Sequence, residues 1–314
     1  MRSVLVIATV SGVLLAAHTT GARVQEAARP VDTSMLDMTF PEFERAVAAT
    51  NVVLLPIGSI EEHGSYLPLS TDAVTSLGQF NEVHRYLRAR NIDTIVGPPL
   101  NIGLTAEGED FSRSGTYMYP GSLTVRAETF VALYLDVLRG LRDNGLRRAF
   151  LFSGHDAASQ GVAMAKVAEE ATRTIDGMHV YALIPSESLE RFGLKPGSTL
   201  LSLEKFRNFD LLATLLGSGP ELPRTNHADG TETSLMLFYR PDTVRPGYQS
   251  ATVSTSTIFF AAGRSGNRAD NPSGTGGFPM ANASASVAKR LLDYRTAVIG
   301  DVIARVLAND AIAR

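Results

Sequence analysis

Residues 52–57 (VVLLPI), 148–153 (RAFLFS) and 179–184 (HVYALI) are short runs of Val, Leu, Ile and aromatic side chains, and segments with helical spacing lie between them. A run that stays apolar at both alternating positions is a strand covered on both faces. Strands joined through helices pair in parallel, with the helices packed against the sheet. The fold class that follows is α/β, a three-layer α-β-α arrangement with a mostly parallel central sheet.

The rest of the chain fits this frame. Residues 40–49 have helical spacing with Pro41 near the start, 72–88 read as a helix, 94–100 as a strand ending at prolines, and 123–144 as a long amphipathic helix stopped by Gly145. A helix over 159–174 precedes the third apolar run. From 185 to 223 Gly, Ser and Pro are frequent, which suggests an excursion beside the sheet without a clear strand, suited to a lid. Residues 232–239 are helical in spacing, 264–284 read as a long surface loop, and a closing helix spans 285–307. No internal repeat is visible.

With 314 residues and 44% hydrophobic content, the chain can bury a sizeable core. Its formal net charge of −3 and scattered Lys and Arg give no basic stripe for nucleic acid and no polybasic segment for anionic lipid. A small-molecule partner is the natural expectation. Arg2, the apolar run from Val4 to Ala17 and the small residues 19–22 have the form of a secretory signal peptide, assigned to residues 1–24. Residues 25–35 then form a disordered mature N-terminus, and 36–314 a single domain. The expected location is the periplasm or outside the cell, with no stable membrane insertion after cleavage; an uncleaved anchor is the alternative. Cysteine is absent, so thiolate zinc sites, a Cys nucleophile and disulfides are excluded.

The chemistry concentrates after the apolar runs. Glu61, Glu62 and His63 follow the first run, and Asp72 opens the next helix. Glu61 and His63 are two residues apart, so in an extended segment they leave on one face and can converge. Oxygen and imidazole donors without thiolate suit zinc, manganese or similar ions, and a carboxylate between two cations can bridge them. The alternative is a solvated loop with Asp72 as helix N-cap. His155, in Ser153-Gly154-His155-Asp156, follows the second run in the same manner. A third cluster, Asn226-His227-Ala228-Asp229-Gly230-Thr231-Glu232-Thr233-Ser234, leads into a helix, with capping by Asp229 or Thr231 as its plainer reading. His84 and His179 lack carboxylate-rich surroundings and read as structural. Gly274-Thr-Gly-Gly277 follows no strand that would make it a phosphate loop.

Taken in order, these clusters resemble the creatininase (creatinine amidohydrolase) family, whose pattern is Gly-x-x-Glu-x-His-Gly-x-x-Leu-Pro, then Thr-Asp, then Gly-His, then His-Ala-Gly-x-x-Glu-Thr-Ser. The resemblance covers about residues 36–300. It implies a centre of two divalent metal ions per chain, Zn2+ and/or Mn2+, in which Glu61 and His63 each hold one ion, Asp72 bridges both and His155 is a further ligand. The family's Glu two positions after the motif histidine is Ala157 here, and Glu232, or else Asp156, stands in for it. His227 matches the family's proton donor or acceptor beside the metals, so His227 and Glu232 carry the catalytic assignment.

The implied activity is hydrolysis of a C–N bond in a small cyclic or linear amide, with a metal-bridging hydroxide as nucleophile. Ser153 in place of Asn, Tyr66 in place of a second histidine, Gly108 in place of another, and the absence of Trp argue against creatinine itself. Glu107, Tyr117, Met118 and Tyr119 fall in a segment that also looks like the family's, where the aromatics could line a pocket. The resemblance further implies a homo-oligomer, often a hexamer. Two other activities fit: a metallopeptidase acting on a short peptide, and a non-catalytic periplasmic metal- or ligand-binding protein.

Overall fold

The structure, a computed structural model, describes residues 34–105, 119–217, 226–253 and 272–309. The signal peptide and the expected tail up to residue 33 lie outside the described residues, as do Glu107, Gly108, Tyr117 and Met118. Among the described residues, no helix is long and apolar enough to cross a membrane.

The strands β1 (Val52–Ile57), β2 (Ile95–Val96), β3 (Arg148–Ser153), β4 (His179–Pro185) and β5 (Leu200–Leu203) form one sheet in the order β2-β1-β3-β4-β5. Every pairing is parallel. The layers follow from the two-residue period of a strand. Val53, Leu55, Ile57, Ala149, Leu151, Val180 and Ala182 point to one face, where they pack with Phe130, Tyr134 and Leu138 of α3 (Ala127–Asp143) and Met164, Val167 and Ala171 of α4 (Ala158–Thr174). Val52, Leu54, Phe150, Phe152, Tyr181 and Leu183 point to the other. There they meet Phe80, Val83 and Leu87 of α2 (Thr71–Arg88) and Ile299, Val302 and Ile303 of α8 (Ala285–Asn309). Both faces are covered, which is why β1 and β3 are apolar at almost every position.

The helix α1 (Phe40–Ala49) begins with a capping box in which Thr39 and Glu42 satisfy each other's backbone donors. Two sequence expectations need correction. The stretch from 185 onward contributes α5 (Ser186–Phe192), the sheet strand β5 and α6 (Phe209–Leu216), so it belongs to the sheet rather than lying beside it. The supposed surface loop over 264–284 is, where described, an inner wall: Gly274 to Phe278 are buried, because their backbone pairs with the His227 segment.

The order 2-1-3-4-5 places a topological switch point between β1 and β3, where chains leave the sheet in opposite directions and open a crevice beyond the strand ends. Ile57 stands opposite Ser153, so the loops that follow these two strands emerge side by side.

Candidate metal centre

Glu61 and His63 leave the loop after β1, Asp72 sits in the first turn of α2, and His155 lies in the loop after β3. Ser76 ties these pieces together. Its Oγ accepts from the Gly154 N–H at 2.7 Å and lies 2.7 Å from the Ile57 carbonyl and 2.6 Å from that of Asp72. A Cβ on Gly154 would come within 2.7 Å of Thr75 Oγ1, so only glycine lets β3 run this close to α2. The remaining groups come from α7 (Gly230–Tyr239) and the turn before it. Asp229 caps α7 by accepting from the Thr231 and Glu232 N–H groups, which turns the Glu232 side chain back toward the strand ends. Asp72 itself is not a cap: the N-cap residue of α2 is Ser70, without a side-chain cap bond.

The two oxygens of Asp72 face different histidines. Oδ1 is 3.3 Å from His63 Nε2, and Oδ2 is 3.2 Å from His155 Nδ1. On one side His155 Nδ1 also meets Glu61 Oε2 at 2.8 Å; on the other His63 Nε2 is 3.7 Å from Glu232 Oε2. Glu61, Asp72 and His155 therefore form one potential donor group, and His63, Asp72 and Glu232 a second that shares Asp72. A third grouping joins Glu61 and His63 with His227, whose ring centroid is 4.6 Å from that of His63.

His63 and His155 each have one nitrogen engaged by the backbone: His63 Nδ1 lies 3.0 Å from the Glu61 carbonyl, and His155 Nε2 lies 2.9 Å from that of Leu104. A ring that donates one N–H to a carbonyl presents the lone pair of its other nitrogen, as metal-ligating histidines do. Glu61 Oε2, His63 Nε2 and Asp72 Oδ2 are enclosed and, beyond the ionisable groups of the cluster itself, have no hydrogen-bond partner among the described residues. Such atoms are costly to bury unless something else satisfies them. The donor set thus fits divalent cations.

The groups also compensate one another as ion pairs. Burial opposes ionisation of Asp72, but His63 and His155 outweigh it and hold the carboxyl well below its ordinary range. Burial likewise raises Glu61, and His155 overrides it to give a net lowering. His63 is lifted to about 9, against the pull of burial, by Asp72 and Glu232. His155 is raised well above its usual value by Glu61 and Asp72.

His227 is approached by a residue to which the sequence reading gave no role. Glu62 Oε1 lies 3.2 Å from His227 Nε2 and, against the opposing effect of burial, raises the imidazole well above its ordinary value, helped by Glu61 and Glu232. Glu62 is fixed by the Gly64 N–H on its Oε2 and by its own N–H on Ser122 Oγ. Gly274, at φ +63°, closes over it so tightly that a Cβ would overlap Glu62 Oε2. The sequence signal was the second carboxylate of the Glu-Glu-His triplet, which leaves on the opposite face from Glu61. Asp156 turns away from the cluster: its carboxylate binds Ser188 Oγ at 2.8 Å and the guanidinium groups of Arg191 and Arg207. Ala157 is buried and offers no donor. His84 hydrogen-bonds Thr94 Oγ1, far from the cluster, and burial lowers its pKa to about 4.

Fold and site together define an α/β protein with a carboxylate–imidazole centre at the switch point of a parallel sheet. The family model described as creatinine amidohydrolase matches residues 36–303, and the chain belongs to this creatininase family. Among similar proteins are the creatinine amidohydrolase of Pseudomonas putida, 29% identical over 120 residues (38% of this chain, 43% of the relative), and the mycofactocin precursor peptide peptidase of Mycolicibacterium smegmatis, 28% identical over 115 residues (36% and 43%). The matched part of the chain thus spans less than half the length of these curated relatives. A crystal structure of creatininase superposes with a TM-score of 0.63 at 21% identity, covering 87% of this chain and 97% of that one. Forms of creatininase described as Zn-Zn and Mn give TM-scores of 0.64 at the same identity.

Proposed function

We propose that the protein is an exported dinuclear metal-dependent amidohydrolase that hydrolyses a C–N bond in a small cyclic or linear amide. The observation that carries this reading is the division of Asp72, whose two oxygens serve two separate His–carboxylate groups. Glu61 and His155 would hold one ion, His63 and Glu232 the other, with Asp72 shared. Glu232 fills the role left open by Ala157, since Asp156 is engaged by arginines. Bound there, two divalent ions would supply an activated water near neutral pH and polarise the substrate carbonyl. Zinc and manganese suit this donor set.

The protein's own residues supply the rest. His63 and His155 are held by backbone carbonyls so that each presents one nitrogen to the cluster. His227, kept protonated by Glu62, is the acid that delivers a proton to the departing nitrogen. In balance, water adds across the C–N bond: a C–O bond forms, the C–N bond breaks and the amine leaves with the proton. The signal-peptide pattern of residues 1–24 supports export, and family membership supports a homo-oligomer, to be read by light scattering. A peptide bond is the same chemical target, and similarity to a peptide peptidase favours a short peptide as the second reading.

The test is a set of variants assayed on a panel of amides, lactams and short peptides. His63→Ala and Asp72→Ala are expected to lose both metal and hydrolysis, whereas His227→Ala keeps its metal and loses turnover. Normal turnover by the His227 variant would remove it from the mechanism.

A further inference from the structure

The cleft that contains Glu61, Asp72 and Glu232 is also lined by two buried arginines, Arg207 and Arg295. They differ in how they are satisfied. Arg207 is held by the Asp156 carboxylate and by Asn226 Oδ1 at 3.1 Å. Arg295, from α8, is 8% exposed and makes no hydrogen bond or ion pair among the described residues; its Nε is enclosed without an acceptor.

The guanidinium nevertheless stays charged, since burial brings its pKa down only to about 10. The Phe206 ring lies 4.8 Å from its central carbon. An aromatic face attracts the cation and orients its plane, but it accepts none of the five N–H donors. The nearby carboxylates Asp229, Glu232 and Glu187 favour the charged form from a distance, but their hydrogen bonds are made to other groups. Asp229 accepts from the backbone of Thr231, Glu232 and Phe278, and Glu232 Oε2 accepts from the Ala228 N–H at 2.5 Å. A buried charge with unmatched donors is costly, and a second cation close by adds to the cost. A planar fork of N–H groups facing a cleft is the geometry that takes a carboxylate through two parallel hydrogen bonds.

We propose that the substrate is an amide bearing a free carboxylate, of the N-acyl amino acid class, and that Arg295 receives this carboxylate while the scissile bond lies over the Glu61–Asp72–Glu232 cluster. The proposal rests on the amidohydrolase reading for the bond that is broken, and on Arg295 alone for the anion. A monoanion matches the single lining guanidinium that lacks a hydrogen-bond or ion-pair partner among the described residues. Phe152, Leu235 and Leu292 also line the cleft and give it an apolar portion.

The experiment uses metal-loaded full-length mature protein. N-acetyl amino acids and their matched primary amides are titrated by calorimetry into wild type, Arg295→Met and Arg295→Lys, and the same pairs are assayed for hydrolysis. At least one acid is expected to bind ten-fold or more tighter than its amide. Arg295→Met should erase that preference with metal content and circular dichroism unchanged, and Arg295→Lys should keep part of it. The proposal is overturned if no acid binds, if acids and amides bind alike, or if Arg295→Met keeps the preference, which would place the carboxylate on the metals. Should Arg295→Met not fold, the wild-type acid-to-amide ratio and the Lys variant decide. Acid preference without hydrolysis of any pair would contradict the amidohydrolase reading alone, whereas hydrolysis of acids and amides at equal rates would contradict the Arg295 proposal alone.

Discussion

At the scale of the residue, the division of labour between Glu61 and Glu62 shows how a two-residue period is used. Glu61 points with His63 into the cluster, and its neighbour Glu62 faces the other way and meets His227. If Glu62 keeps His227 charged and oriented, Glu62→Gln should lower kcat by about 10- to 100-fold, as losses of such orienting partners do. Metal content should be unchanged, because Glu62 belongs to none of the potential donor groups among the described residues; loss of metal from this variant would instead make Glu62 a ligand. The histidines also set a pH dependence. His63, at about 9 in the folded metal-free protein, carries a proton that an unfolded histidine loses near 6.5. The stability it contributes is fully present below that lower value and disappears as pH rises through about 9. A cation must displace this proton, so metal uptake at neutral pH should release protons, and apparent affinity should increase with pH up to about 9. Calorimetry of zinc binding in two buffers of different ionisation enthalpy reads the proton directly; heats that do not depend on the buffer would contradict it.

At the scale of the element, the sheet was legible where both faces are covered. The strands β1 and β3 match the apolar runs residue for residue, since a strand buried on two sides has no polar alternation to confuse it. The strand β5 was missed because it is a short edge strand with Leu201 and Ser202 only half-buried, flanked by Gly, Pro and Ser. The helix α3 begins at Ala127, later than its amphipathic pattern suggested, because Leu123 pairs with Ile60 instead. Phe150, fully buried in β3 and stacked 5.0 Å from Tyr181, should cost about 3–5 kcal/mol when replaced by Ala, measured by denaturant unfolding. Gly154→Ala is expected to act differently. It forces β3 away from Thr75 and Ser76, so metal affinity should drop while far-UV circular dichroism is retained; unchanged affinity would mean that the Ser76 tie does not set the geometry.

At the scale of the whole molecule, strand order places the site before any side chain is considered, because 2-1-3-4-5 leaves its crevice beyond β1 and β3. Glu61, His63 and His155 could be singled out in the sequence because each follows one of the apolar runs, and Asp72 because it opens the next helix. Arg295 could not. In the sequence it is one basic residue in a long amphipathic helix, indistinguishable from a solvated position, and only the packing of α8 across α2 and α7 encloses it. Gly274 was hidden in the same way, its constraint coming from Glu62 some two hundred residues earlier. The central claim, that one carboxylate organises two metal positions, belongs to this scale because its donors come from four separate segments. Elemental analysis of chelator-free protein after zinc or manganese supply, on wild type and Asp72→Ala side by side, tests it most directly. Close to two divalent ions per chain, lost in the variant, is the predicted result; no bound metal in the wild type, or undiminished loading without Asp72, would contradict it.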